Sequence, residues 1–215
     1  GRIDVVVNNA GYANVAPIET GDEADFRTQF ETNFWGVYHV SRAAIAQLRA
    51  QGGGTIVQFS SVGGRVGGAP GIASYQAAKF AVDGLSRVLA VETAPFGIRV
   101  MVVEPSGFAT DWNGSSMTVH DFPAEYDSTI GDFNRRVRTS DAVAAGDPAR
   151  AARIIVTAAK RQHPPSHLLL GVNAVDMSRE YSESQLREAT EWAAVGRSAD
   201  FGQPFPAAFP PDDPR

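Results

Sequence analysis

An α/β fold built on a parallel sheet is predicted for this chain of 215 residues. Three observations carry the prediction. Several short runs of β-branched and aliphatic residues lack apolar/polar alternation, as strands covered on both faces do. Stretches of helical period separate those runs. Strand and helix then alternate along the chain, the pattern of a parallel sheet with right-handed crossovers.

The first strand is expected at Asp4 to Asn8, in Asp-Val-Val-Val-Asn. From Asp22 to Ala50, residues Phe26, Phe30, Phe34, Val37, Val40, Ala44 and Leu48 recur at spacings of three and four, a helical stripe ended by Gly52-Gly53-Gly54. Thr55 to Phe59 reads as the second strand, and a glycine-rich turn follows from Gly63 to Gly71. The next helix, Ile72 to Ala94, presents Phe80, Gly84, Val88 and Val91 on one side and closes at Pro95-Phe96-Gly97. Ile98 to Glu104 is the third strand. A helix opens at Pro148 behind Asp147 and runs to about Gln162, and His167 to Leu170 is the fourth strand. Two stretches differ in kind. Gly107 to Gly146 has no clean period and reads as a mobile insertion with short helices, while 203–215 holds five of the 13 prolines and reads as an extended tail. The expected organisation is one domain over 1–202, with 107–146 as its insertion, followed by the tail; no internal repeat is visible.

Composition excludes several function classes. With 19 Lys and Arg against 24 Asp and Glu the net charge is −5, so the chain has no basic footprint and nucleic acid is not an expected partner. The absence of Cys excludes a disulfide framework, a thiolate nucleophile and any Cys-based zinc or iron–sulfur site. The four His residues, His39, His120, His163 and His167, lack close ligand spacing, and no metal site is expected. No apolar run approaches the roughly 18 residues of a membrane helix, and the opening GRIDVVVNN is not a signal peptide. The expectation is a cytoplasmic protein with no membrane partner.

Tyr75 and Lys79 stand at i and i+4 near a helix start, so both project from one face a turn apart. An ammonium beside a phenol favours the phenolate, lowering a pKa that is ordinarily about 10. Taken alone the spacing is common by chance and far more often marks a solvent-facing pair on an amphipathic helix. Its context sets it apart: Ser60-Ser61 and Asn8-Asn9-Ala10-Gly11 each end a buried strand, and in open parallel sheets ligands bind at that end.

The chain resembles the short-chain dehydrogenase/reductase family. The matching pieces are Asn9-Ala10-Gly11, Asn33 within Thr32-Asn33-Phe34-Trp35-Gly36, Ser61 behind its strand, Tyr75-Gln76-Ala77-Ala78-Lys79, Pro95 to Val100, and Pro105 to Thr110, all in order over about residues 3 to 111. The resemblance implies a Rossmann-like, doubly wound sheet and an NAD(P)-dependent oxidoreductase acting on an alcohol or ketone. It implies that Tyr75 is the general acid and base, that Ser61 rather than Ser60 hydrogen-bonds the carbonyl, and that Lys79 lowers the Tyr75 pKa and holds the nicotinamide ribose. Asn33 would complete the tetrad through its backbone carbonyl. Asn9, Ala10 and Gly11 would approach the adenosine ribose, and Pro105, Ser106, Gly107 and Thr110 the nicotinamide, Thr110 holding its carboxamide. A homo-oligomer through the helices at Asp22 to Ala50 and Ile72 to Ala94 is implied as well.

Two departures stand out. The family's Pro-Gly is Pro105-Ser106 here, leaving open whether Ser106 or Gly107 takes that contact. No glycine-rich pyrophosphate turn precedes Asn8, so the sheet is expected to be incomplete on its N-terminal side by roughly 75 residues, counted in βαβ units. Asp4 to Asn8 would then be an exposed edge, and the isolated chain would bind NAD(P) weakly. The insertion carries Phe108, Trp112, Met117, Phe122, Tyr126, Ile130 and Phe133, which either line a seat for a lipophilic substrate or pack the insertion onto the body. Trp192 and Phe201 are read as core or interface residues. The alternatives are a dehydratase or epimerase of the same superfamily, and a non-enzymatic oligomerisation remnant.

Overall fold

The structure is a computed structural model describing residues 1–113, 116–139, 145–205 and 208–211. Parts of the expected insertion (114–115 and 140–144) and of the tail (206–207 and 212–215) lie outside the described residues. The chain forms two compact units, Gly1–Val175 and Asp176–Arg215.

The first unit holds a four-stranded parallel sheet in the order β1 (Val5–Asn8), β2 (Gly54–Phe59), β3 (Ile98–Pro105), β4 (His167–Leu170). β1 is an edge strand, with Val5 and Val7 exposed. β2 and β3 lack alternation because both faces of the sheet are covered there, whereas at β1 only Val6 packs against the core and Val5 and Val7 are exposed, so the burial on both faces expected of that run is not found. On one face α2 (Gly36–Ala50) and α4 (Ala73–Thr93) pack, with Leu48, Ile56, Leu89, Ile98 and Val100 in the core they share with the sheet, and α1 (Glu23–Phe30) lies against α4. On the other, α6 (Pro148–Ala159) closes over Val57, Met101, Val103 and Leu170. Asp147 caps α6 by accepting the Ala149 and Arg150 N–H groups ahead of Pro148 at the first turn.

The helix expected over Asp22 to Ala50 is not uniform: a π-turn at Glu31–Trp35 separates α1 from α2, with Asn33 buried in it. The glycine-rich turn begins as a short helix, α3 (Gly63–Val66), which ends at Gly67 with a φ of 67°. The Phe80, Val88 and Val91 side of α4 faces outward, while Ala78, Val82 and Leu89 face inward. The insertion contains short helical turns at Asp111–Asn113, Ala124–Tyr126 and Asp127–Gly131 before α5 (Asp132–Thr139).

Helix α7 (Val172–Glu191) was not foreseen, because its polar sequence carries no continuous apolar stripe. In the second unit it is followed by α8 (Ala193–Arg197), and Trp192 meets Phe209 edge-on at 5.9 Å. Trp192 and Phe201 are exposed, which removes the core reading of both. No helix among the described residues is long and apolar enough to cross a membrane.

Candidate active site

The C-terminal ends of β1, β2 and β3 bring the expected residues together. Beyond Phe59, the Ser60 N–H continues the ladder onto the Val103 carbonyl, and the Ser60 hydroxyl donates to the Lys79 carbonyl at 2.9 Å. Ser60 therefore ties β2 to α4. Ser61 is turned the other way: its Oγ accepts the Gly63 N–H at 3.0 Å, and the residue lines the same cavity as Tyr75.

Tyr75 lies in the first turn of α4, buried, with its ring tilted against Trp112 at 5.2 Å. Lys79, one turn later, is 3% exposed; its Nζ donates to the Phe59 carbonyl at 2.7 Å and stands 5.6 Å from the Tyr75 ring centre. Burial acts on both groups. It pushes the phenol up to about 12, against a smaller downward pull from Ser61, and the Lys79 ammonium down to about 8. The shift expected for Tyr75 was downward. It runs upward because desolvation of the buried phenol outweighs the lowering pull of Ser61.

Asn33 is fully buried behind this row. Its amide donates to the Tyr12 and Gln29 carbonyls, each at 2.8 Å, and its Oδ1 accepts the Tyr12 N–H at 3.1 Å. The side chain thus clamps the loop after β1 on both sides of one residue. Gly11 fits between: a Cβ there would lie 2.6 Å from Asn33 Oδ1 and 3.2 Å from Lys79 Nζ. Asn9 and Gly11 line a cavity of about 540 Å³ together with Ser61, Tyr75, Lys79, Pro105 to Phe108 and Thr110; Ala10 is exposed beside it. Ser106 lines the same cavity, but its hydroxyl turns to the Leu170 carbonyl at 3.3 Å, so the residue in the family's glycine position directs its polar atom away from the opening.

Both roles left open for the insertion's apolar residues are filled, and Trp112 and Phe133 serve in both. Phe108, Trp112 and Phe133 line the cavity. Met117 and Ile130 are buried in a cluster with Ala13, Val15, Ile72 and Tyr75, against which Phe122 and Tyr126 also pack. The insertion is joined to the loop after β1 by a bridge between Val15 and Val119 and by the Thr118 N–H on Asn14 Oδ1.

Two contacts here escaped sequence reasoning. Gly64 is pressed against Ser60 Oγ and the Lys79 backbone, leaving no space for a Cβ. Arg65 makes a forked ion pair with the buried Glu104, Nη2 to Oε2 at 2.8 Å. Asp83 and His167 lie beside Glu104 in a grouping of metal-ligand type, but guanidinium groups already balance both carboxylates, Arg65 on Glu104 and Arg87 on Asp83. Neither contact has a sequence signal, since the partners belong to different elements.

An open parallel sheet with Ser61, Tyr75 and Lys79 gathered beyond the carboxyl ends of its strands is an α/β arrangement of Rossmann-like type. Residues 1–119 match the short chain dehydrogenase family. The chain is 45% identical over 192 residues to Oxidoreductase BOA17 of Botryotinia fuckeliana, covering 89% of this chain and 70% of that protein. It is 35% identical over 202 residues to Uncharacterized oxidoreductase C162.03 of Schizosaccharomyces pombe, covering 92% and 68%. Among solved structures, a short-chain dehydrogenase from Streptomyces avermitilis superimposes with a TM-score of 0.84 at 37% identity, covering 94% of this chain and 72% of that one. The chain belongs to the short-chain dehydrogenase family and is an oxidoreductase of that superfamily.

Proposed function

We propose that this protein moves a hydride between a nicotinamide cofactor, NAD or NADP, and an uncharged alcohol or ketone, with Tyr75 as the acid and base. The observation that carries this reading is the convergence of Ser61, Tyr75 and Lys79 on one cavity at the carboxyl ends of the strands, with Tyr75 and Lys79 one helical turn apart on α4. The donor set suits the cofactor. Lys79, Asn9 and Thr110 offer an ammonium, an amide and a hydroxyl around a cavity otherwise walled largely by apolar side chains, as a ribose and a carboxamide require. Bound there, the cofactor supplies or takes up the hydride.

The residues of this chain do the rest. Ser61 donates a hydrogen bond to the substrate carbonyl oxygen. Tyr75, whose high pKa keeps it protonated, gives that oxygen its proton in reduction and recovers it in alcohol oxidation. Lys79 holds the ribose, and its charge stabilises the phenolate left on Tyr75. Gly11, Pro105, Ser106 and Gly107 bring the backbone close to the cofactor, with Asn33 fixing the loop that carries Gly11. Phe108, Trp112 and Phe133 form an apolar seat without a charged group, which favours a lipophilic substrate. The outward aromatic and aliphatic residues Trp35, Val40, Phe80 and Val88 support a homo-oligomer through α2 and α4. No observation favours the dehydratase, epimerase or non-enzymatic readings.

The test is Tyr75→Phe, assayed by nicotinamide absorbance against a panel of uncharged ketones and alcohols. Turnover should fall by about a hundredfold or more with circular dichroism unchanged. Activity within about tenfold of the unmodified protein would assign the proton to another group.

A further inference from the structure

We propose that the Arg65–Glu104 pair is the positioning device of this site: it anchors the turn that sets Ser61 in the cavity it shares with Tyr75. The proposal rests on the reading of Ser61 given above.

Glu104 is the penultimate residue of β3, in register with Leu169 of β4, and only 1% exposed. Its carboxylate takes three N–H contacts from Arg65, Nε at 3.1 and 3.0 Å and Nη2 at 2.8 Å. Such a fork fixes orientation as well as distance. What it fixes is α3, four residues long and half glycine, far too short to hold its shape unaided. Ser61 depends on that turn. Its Oγ is oriented by the Gly63 N–H at 3.0 Å, its carbonyl accepts the Gly64 N–H at 2.9 Å, and the Val62 N–H is held by the Pro105 carbonyl at 3.0 Å. Arg65 and Glu104 therefore clamp the turn to β3 next to the one backbone bond that already joins them.

Stability alone is a poor account of this pair, because a buried ion pair contributes little over apolar residues of the same size. Nor is Glu104 an isolated charge: Asp83 and His167 stand beside it, with Arg87 on Asp83 at 2.8 Å. These neighbours box the carboxylate in and leave Arg65 as its counter-ion.

The experiment compares Glu104→Gln in two backgrounds, with Ser61 present and with Ser61→Ala. With Ser61 present, kcat should fall by about tenfold to a hundredfold at little change in KM, the cost of a misplaced group. With Ser61→Ala, the same substitution should cost less than about twofold, because the group it positions is gone. Should Glu104→Gln fail to fold, Arg65→Met with Glu104→Met removes both charges together and carries the same comparison. Equal losses in both backgrounds, or a lower melting temperature with kcat unchanged, would overturn the proposal. A Ser61→Ala loss below about tenfold would instead remove Ser61 from the chemistry, a failure of the underlying reading and distinct from the other outcomes.

Discussion

Ser106 and Gly171 share one space: the Ser106 hydroxyl sits where any side chain at position 171 would begin. Gly171 also has a φ of 96°, a conformation that side-chain-bearing residues avoid. Gly171→Ala should thus destabilise the protein by about 3 kcal/mol, from backbone strain together with the clash. Adding Ser106→Gly should recover about 1–2 kcal/mol by removing the clash and not the strain. Chemical denaturation of the four proteins measures the coupling, and effects additive to within about 0.5 kcal/mol would show that the two residues do not compete.

Ketone reduction should lose rate as the pH rises through about 8. The Tyr75 phenol, at about 12, keeps its proton across this range, so the change belongs to Lys79, whose ammonium titrates at about 8. Below that pH its charge supports the phenolate that forms on Tyr75; above it the support is lost. The kcat profile from pH 6 to 10 should fall on its alkaline side, and Lys79→Met should be slow and flat. A profile level to pH 9 in the unmodified enzyme would remove this role from Lys79.

The same burial makes Lys79 a burden on the fold. Its pKa is depressed from the ordinary 10.5 to about 8, so between these values the unfolded chain binds more protons and stability rises with pH. The depression corresponds to roughly 3 kcal/mol, of which the hydrogen bond to the Phe59 carbonyl, absent in Lys79→Met, offsets about 1 kcal/mol. Lys79→Met should be about 2 kcal/mol more stable below pH 8, the difference shrinking towards pH 10.5. Urea titrations at pH 7 and pH 10 check it; equal differences at the two would show that the ammonium is well solvated in the folded state.

What could be read from the sequence was local. The four strands follow from runs of a few residues, and Tyr75, Lys79 and Ser61 stand where helical spacing and a strand end put them. Asn33 was legible as an interruption, though not as the clamp on Tyr12, 21 residues away. Arg65 and Glu104 are 39 positions apart, and Ser106 and Leu170 are 64 apart, so no periodicity links them. The upward shift of Tyr75 was hidden for a related reason. It depends on how completely Trp112 and the core cluster exclude water, which the neighbours in sequence do not state. The insertion's apolar residues were recognisable as a set, but only packing sorts Phe108, at the cavity wall, from Met117 and Ile130 in the buried cluster.

The π-turn at Glu31–Trp35 acts as a phase corrector between two halves of one long helix. Asp25, Gln29 and Asn33 grip the loop after β1, and Val37 and Ser41 face the sheet and its neighbours, all at intervals of four. In an unbroken α-helix each such step drifts by about 40°, so the two grips would diverge; one extra residue winds the second half back by roughly 100°. Deleting a single residue from that turn would leave a sound helix with the wrong phase. Asn33 would no longer point at Tyr12, and the loop that carries Gly11 beside Lys79 would lose its clamp while every strand of the sheet stayed in place.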